Sequence, residues 1–371
     1  MVANKTPPFR AEHIGSLLRP PSIREAYRAY KAGEIDSVRI EEERRRAIRD
    51  VVKLQEDIGL KVITDGEFRR TTYISHFVES CDGLDFRPSS FRFYDATGGN
   101  HEFLAPQCVG IVRRSQSLSA VEFEFLKTVT KRTIKSTYAS PATMHFLGGA
   151  PDPDPQFYAS EDELFNDIAA AYAEDIAEIA SKGAKYITLD DVPFPMLCDP
   201  SIRAQLERKG KDPEELLDKY IDLTNASFSG VPSDVTVGLH MCRGNLKGTW
   251  LSQGSYDVVA EKLFNRLKVD VFFLEYDSDR AGSFEPLASV PNDKHVVLGL
   301  VSSKVPMLEA RDELKARIKE AANYIDLERL AISPQCGFSS AVIGNPVSVE
   351  DQIAKLKLVV EVAEEVWESY S

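Results

Sequence analysis

Eight short apolar segments punctuate this chain, and each is followed by a longer charged stretch whose apolar residues recur at helical spacing. The segments fall at 12–18, 61–67, 133–141, 185–192, 235–242, 270–277, 295–303 and 329–337. The helical patterns include 40–58, 161–181, 257–267, 311–324 and 349–370. Strand–helix alternation predicts a parallel sheet with crossover helices. Eight such units in 371 residues predict an α/β fold, a (β/α)8 TIM barrel that takes up 1–371 as a single domain. One stretch, about 81–114, fits no helix; rich in Phe, Gly, Pro and Ser, it predicts a hairpin-like insertion after the second strand. The rival architecture is an open doubly wound sheet, but no glycine-rich dinucleotide fingerprint follows the first strand.

Charge and composition exclude several function classes. A net charge of -13 argues against a nucleic-acid partner, which calls for a basic face. No apolar run approaches the ~20 residues that span a bilayer, and the opening MVANKTPPFRAEH lacks the apolar core of a secretory signal. A cytoplasmic protein without membrane attachment is expected, with an oligomer allowed. The five cysteines, Cys81, Cys108, Cys198, Cys242 and Cys336, are too sparse for a disulfide framework and point to metal or catalytic use for some.

The polar residues of the segments gather at one end of each. Ser16, Glu67, Asp190, Asp191, His240, Cys242, Glu275, Ser302, Ser303 and Cys336 all sit at or just past the C-terminal end of an expected strand. In a barrel those ends converge on one face, where active sites are built. Within TVGLHMCRGN, His240 and Cys242 are two residues apart, so an extended chain turns both to the same side. Glu275 closes the apolar run FFLE, where a buried carboxylate needs a partner. Cys336 lies between a Pro and a Gly on an expected tight loop. His240, Cys242, Glu275 and Cys336 are therefore candidate ligands for Zn2+, which accepts all three ligand types. Two thiolates and a carboxylate would outweigh the metal's charge, so such a site is poorly suited to splitting water and well suited to activating a thiol.

The motifs HIGSLLRP, VITDGEFRR, YITLDDVPF, GLHMCRGN, FFLEYDSDRAG and LAISPQCGF extend this reading over most of the chain. Together they resemble the catalytic C-terminal barrel of cobalamin-independent methionine synthases, in a single-barrel form. The resemblance implies that His240, Cys242, Glu275 and Cys336 are the zinc ligands. It also implies a homocysteine pocket made by Ile14, Gly15 and Ser16, with Glu67 and Asp190 facing the ammonium group. Asp191, His13 and Ser302 are further candidates for supporting contacts. The implied partners are the thiol of homocysteine and a methyl donor, either methyl-folate or another small methyl carrier. The family's pterin-contacting residues have no match here; Phe146 and Arg113 or Arg114 are candidate substitutes. The alternative within the same chemistry is alkyl transfer to a thiol of the coenzyme M type. A metal-free lyase on this fold and a non-catalytic barrel both leave the ligand set without a purpose.

Overall fold

The computed structural model describes residues 7–367; positions 1–6 and 368–371, including the end of the helix expected to reach 370, lie outside it. In chain order the described strands are β1 (Val62–Ile63), β2 (Cys81–Pro88), β3 (Phe93–Tyr94), β4 (Asn100–His101), β5 (Leu104–Arg114) and β6 (Thr133–Ala139). They continue with β7 (Tyr186–Asp191), β8 (Thr236–Met241), β9 (Val271–Glu275), β10 (His295–Val301) and β11 (Leu330–Pro334). Seven of them form one parallel sheet in the order β1-β6-β7-β8-β9-β10-β11, curled into a barrel. Neighbouring strands are consecutive in this sheet; helices such as Glu161–Ser181, Pro213–Ser227 and Arg311–Ala321 occupy the crossovers, with Ser37–Ile58 leading into β1 and Val349–Val366 following β11. Their ends carry local stop and start signals. Asp36 accepts from the Arg39 N–H, Gly59 closes the same helix in the left-handed conformation, and Ser348 with Asp351 forms a reciprocal capping box.

The eighth stave differs from expectation. Segment 12–18 forms no ladder strand; its neighbourhood makes one isolated bridge, Ala11 to Ile332. Glu12 N–H donates to Ile332 O at 2.9 Å, and Ile332 N–H donates to Arg10 O at 2.9 Å. On the other side, Thr64 Oγ1 donates to Gly15 O at 2.7 Å and Leu17 N–H to Gly66 O at 3.1 Å. The segment thus bridges β11 and the β1 edge without regular pairing. The segment also approaches β6 closely: a Cβ on Gly15 would lie 2.6 Å from Thr137 Cγ2, so this position accepts only glycine.

The expected insertion is present. β2 and β5 pair antiparallel after β1, with a register shift between Asp82 and Leu84. Gly83 sits at that shift with φ +80, and a Cβ there would meet Ile111 O at 2.3 Å. The small β3–β4 ladder at the hairpin's far end docks on the loop after β8, where Tyr94 and Trp250 exchange backbone hydrogen bonds of 2.7 and 3.0 Å. That docking carries the hairpin across the C-terminal face of the barrel.

The sheet's register decides what faces inward. Asp190 pairs with His240, and His240 with Phe273, on adjacent strands. Paired residues of parallel strands point the same way, so this row fills the barrel's upper interior. The opposite end of the interior is closed by the buried ion pair of Lys135 with Glu12 at 2.9 Å. Tyr186 Oη reaches the same carboxylate at 3.1 Å. A buried pair of this kind holds only when its remaining lone pairs are also satisfied.

Candidate functional site

Strand alternation brings His240 and Cys242 to the same side at the end of β8, and the loop after β11 brings Cys336 to them. One ligand atom from each residue lies within 4.8 Å of the others. The two sulfurs are 3.7 Å apart. The contact with Cys242 holds the Cys336 thiol well below its usual range. The same contact, with burial, pushes Cys242 well above it. Two sulfurs in contact, with an imidazole close by, are placed to meet a cation.

Glu275 closes β9, fully buried, but its carboxylate lies outside the cluster that gathers His240, Cys242 and Cys336. Its Oε2 accepts from the Arg243 N–H at 2.8 Å. Its Oε1 has no hydrogen-bond partner among the described residues, and neither does either ring nitrogen of His240. A buried imidazole with both nitrogens unpaired is costly unless something else occupies its lone pair. Two thiols, an imidazole and a half-paired carboxylate suit a soft divalent metal of the zinc type, so the residues fit the implied group.

The remaining expected residues divide between the pocket and its supports. A cavity of about 640 Å³ opens above the ligand cluster, with Ile14, Ser16, Asp190, His240, Cys242 and Cys336 among its walls. Asp190 Oδ1 and Glu67 Oε2 are both buried without hydrogen-bond partners among the described residues. Burial first, and Glu67 next, push the Asp190 carboxyl well above the usual range. Burial likewise raises Glu67 against the pull of Arg70. Glu67 is held at φ +61, a conformation rare outside glycine, so this carboxylate is aimed at a backbone cost of ~1–3 kcal/mol. Asp65 Oδ1 accepts the Glu67 N–H at 2.8 Å, and the Arg19 guanidinium donates to Glu67 O at 2.7 Å, fixing the turn.

Gly15 does not line the cavity; its bare Cα lets the loop press against Thr137 beside the Glu67 carboxylate. Asp191 faces away from the cavity and accepts from Ser140 Oγ and from the Phe194 N–H, which starts the turn after β7. His13 is buried outside the cavity with Nε2 at 3.2 Å from Val62 O, and burial pushes its pKa down to about 3. Ser302 is a turn residue whose Oγ accepts from the Lys304 N–H at 3.3 Å, also outside the cavity. The substitutes expected for pterin contacts lie elsewhere. Phe146 is buried in a stack with Phe91, Arg114 pairs with Asp175, and Arg113 is exposed beside Asp82.

Three groups belong to the site without a signal in the sequence. Phe86, Phe93 and Phe103 of the hairpin form an aromatic wall of the cavity. Arg243 is fully buried; its guanidinium donates to Gly254 O, Tyr256 Oη and Glu275 O, while Asn245 Nδ2 donates to Ser303 Oγ and Gly337 O. The Arg-Gly-Asn run after Cys242 thereby ties together the loops that carry the ligands. Lys304 is buried with its Nζ 3.5 Å from Glu275 Oε1.

Comparison with known proteins agrees with this geometry. The family profile described as "Cobalamin-independent synthase, Catalytic domain" matches residues 9–365. The uncharacterized protein YxjH of Bacillus subtilis is 36% identical over 97% of this chain and 95% of its own length. The 5-methyltetrahydropteroyltriglutamate–homocysteine methyltransferase of Rhodococcus jostii is 25% identical over 92% of this chain, which spans 42% of that longer protein. A solved Listeria monocytogenes structure, assigned as a vitamin-B12-independent methionine synthase, superposes with a TM-score of 0.76 at 31% identity, covering 98% of this chain and 99% of that one. The barrel, its inward-facing thiols and a match running nearly end to end place this chain in the cobalamin-independent synthase family, as a methyltransferase-like catalytic domain.

Proposed function

We propose that this protein transfers a methyl group to the thiol of homocysteine, giving methionine, with zinc held by His240, Cys242, Glu275 and Cys336. The observation that carries the reading is one cavity with two chemistries: a cluster of soft ligands within 4.8 Å of one another, and on the same wall the buried carboxylate of Asp190, with Glu67 close to it but off the wall. When bound, zinc lowers the pKa of an incoming thiol and keeps its sulfur nucleophilic at neutral pH.

The chain's own residues do the rest. Asp190 and Glu67 supply negative charge for an ammonium group, whose arrival relieves their mutual repulsion. Ser16 stands at the cavity wall against Gly337, placed to donate to the amino acid's carboxylate. The aromatic wall and the apolar side chains Leu147, Val192 and Leu251 exclude water from the sulfur and leave room for a methyl donor. Folate or another small methyl carrier fills that role. The relatives named as homocysteine methyltransferases support the acceptor. A coenzyme M-type thiol carries no ammonium and leaves the two carboxylates unmatched, which disfavours it.

The test is zinc-loaded protein incubated with homocysteine and, separately, methyl-tetrahydrofolate, its triglutamate and methylcobalamin, with methionine read by mass spectrometry. Methionine from any donor supports the assignment. No methionine, together with turnover of an ammonium-free thiol, overturns it.

A further inference from the structure

Lys304 stands out because its environment does not account for it. It follows β10, it is 4% exposed, and its Nζ has no hydrogen-bond partner among the described residues. A buried ammonium without partners is costly. The loop bearing it is fixed: Ser302 Oγ accepts the Lys304 N–H, the Ser303 N–H donates to Gln335 Oε1 at 3.0 Å, and Asn345 Nδ2 donates to Ser303 O at 3.1 Å. The nearest anion is Glu275, whose Oε1 is equally unpaired at 3.5 Å. Arg280 also faces this oxygen, at 3.9 Å, but it is more exposed and its guanidinium lies over the Trp250 ring.

We propose that Lys304 is a positioning residue that receives the Glu275 carboxylate when a substrate thiol takes its place among the metal ligands. The inference rests on the functional reading above. Of the four ligands, the carboxylate is the least suited to a soft site and the one to leave. With a metal bound, Glu275 would give up its place to the substrate sulfur, and the sulfhydryl proton would pass to solvent. The freed carboxylate would keep its charge and close on the ammonium, which already stands within ion-pair distance of Oε1 at 3.5 Å. Oε2 keeps its bond from the Arg243 N–H, so the carboxylate pivots without leaving β9. Lys304 also offsets the excess negative charge that two thiolates and a carboxylate place around a divalent ion. It thereby makes exchange of one anion for another affordable in a buried site.

The test uses cobalt-substituted protein, whose visible absorption reports the ligand set, with homocysteine as the probe. Wild type should change its spectrum on titration. In Lys304→Met the homocysteine Kd should rise roughly tenfold or more, while metal affinity by chelator competition stays near wild type, and Lys304→Arg should recover most of the loss. Thermal midpoints of both variants check folding. A Lys304→Met protein that binds homocysteine as wild type does, or that loses metal and thiol binding in equal measure while Lys304→Arg does not recover them, overturns the proposal. A wild-type spectrum indifferent to homocysteine overturns the functional reading and this inference with it.

Discussion

The sulfurs of Cys242 and Cys336 lie 3.7 Å apart across 94 positions of chain. The pair exists only because β8 and the loop after β11 end on the same face of the barrel, and Asn245 joins them by donating to Gly337 O at 3.0 Å. Removing either sulfur should empty the site. Cys242→Ala or Cys336→Ala should lower zinc affinity by more than the roughly 10–100-fold that loss of an outer-shell partner costs. Chelator competition with metal analysis measures this, and retention of wild-type zinc by either variant would speak against the ligand assignment.

The two carboxylates should discriminate by substrate charge. Asp190→Asn and Glu67→Gln each remove part of a charge-assisted contact worth ~1.5–3 kcal/mol. Homocysteine affinity should therefore fall about 10–100-fold. Binding of 3-mercaptopropionate, which has the thiol and carboxylate but no ammonium, should stay unchanged or improve. Calorimetry with both ligands decides; equal losses for the two would mean that the carboxylates act structurally.

Most of the barrel is legible in the sequence because parallel strands buried on both faces appear as short apolar runs. Segments 133–141, 185–192, 235–242, 270–277, 295–303 and 329–337 all contain observed strands, and 61–67 contains only Val62–Ile63. Segment 12–18 looks the same by composition, yet it forms no ladder, and Gly15 packs against Thr137. That contact spans the barrel wall and has no local signature. The thiols and His240 are legible because i,i+2 spacing has a fixed meaning on a strand. Lys304 and Arg243 are not, because a cation in a polar loop reads as solvated, and only tertiary packing buries it. The hairpin's place is legible from its composition, but its aromatic wall depends on the Tyr94–Trp250 docking.

Gly337 should tolerate no side chain. A Cβ there would lie 1.9 Å from Ser16 Oγ, with Ser16 O at 3.2 Å behind it. Gly337→Ala should displace Ser16 from the pocket wall at a cost of ~1–3 kcal/mol in stability. Weakened homocysteine binding with zinc retained is the expected result of paired binding and metal assays. Wild-type affinity in this variant would remove Ser16 from the substrate pocket.

Asp65 predicts a pH effect on stability. Burial raises its carboxyl from 3.8 to about 6 in the folded protein. A raised carboxyl binds its proton more tightly when folded, so its contribution is full below the unfolded value and is lost as pH rises toward 6. The loss amounts to at most about 3 kcal/mol for a shift from 3.8 to about 6. Asp65→Asn carries no such titration, so relative to wild type it should gain stability between about pH 4 and about pH 7. Any fixed cost of the amide affects both ends equally. Denaturant unfolding of both proteins across that window checks the slope, and a pH-independent difference would contradict it.

Whether His240, Cys242, Glu275 and Cys336 hold a zinc that takes up the substrate thiol is decided by zinc K-edge absorption on the loaded protein, before and after homocysteine. Tightly held zinc with two sulfur neighbours alone and three with homocysteine is the expected result. Zinc that is not retained, or a sulfur count unchanged by the thiol, would contradict it.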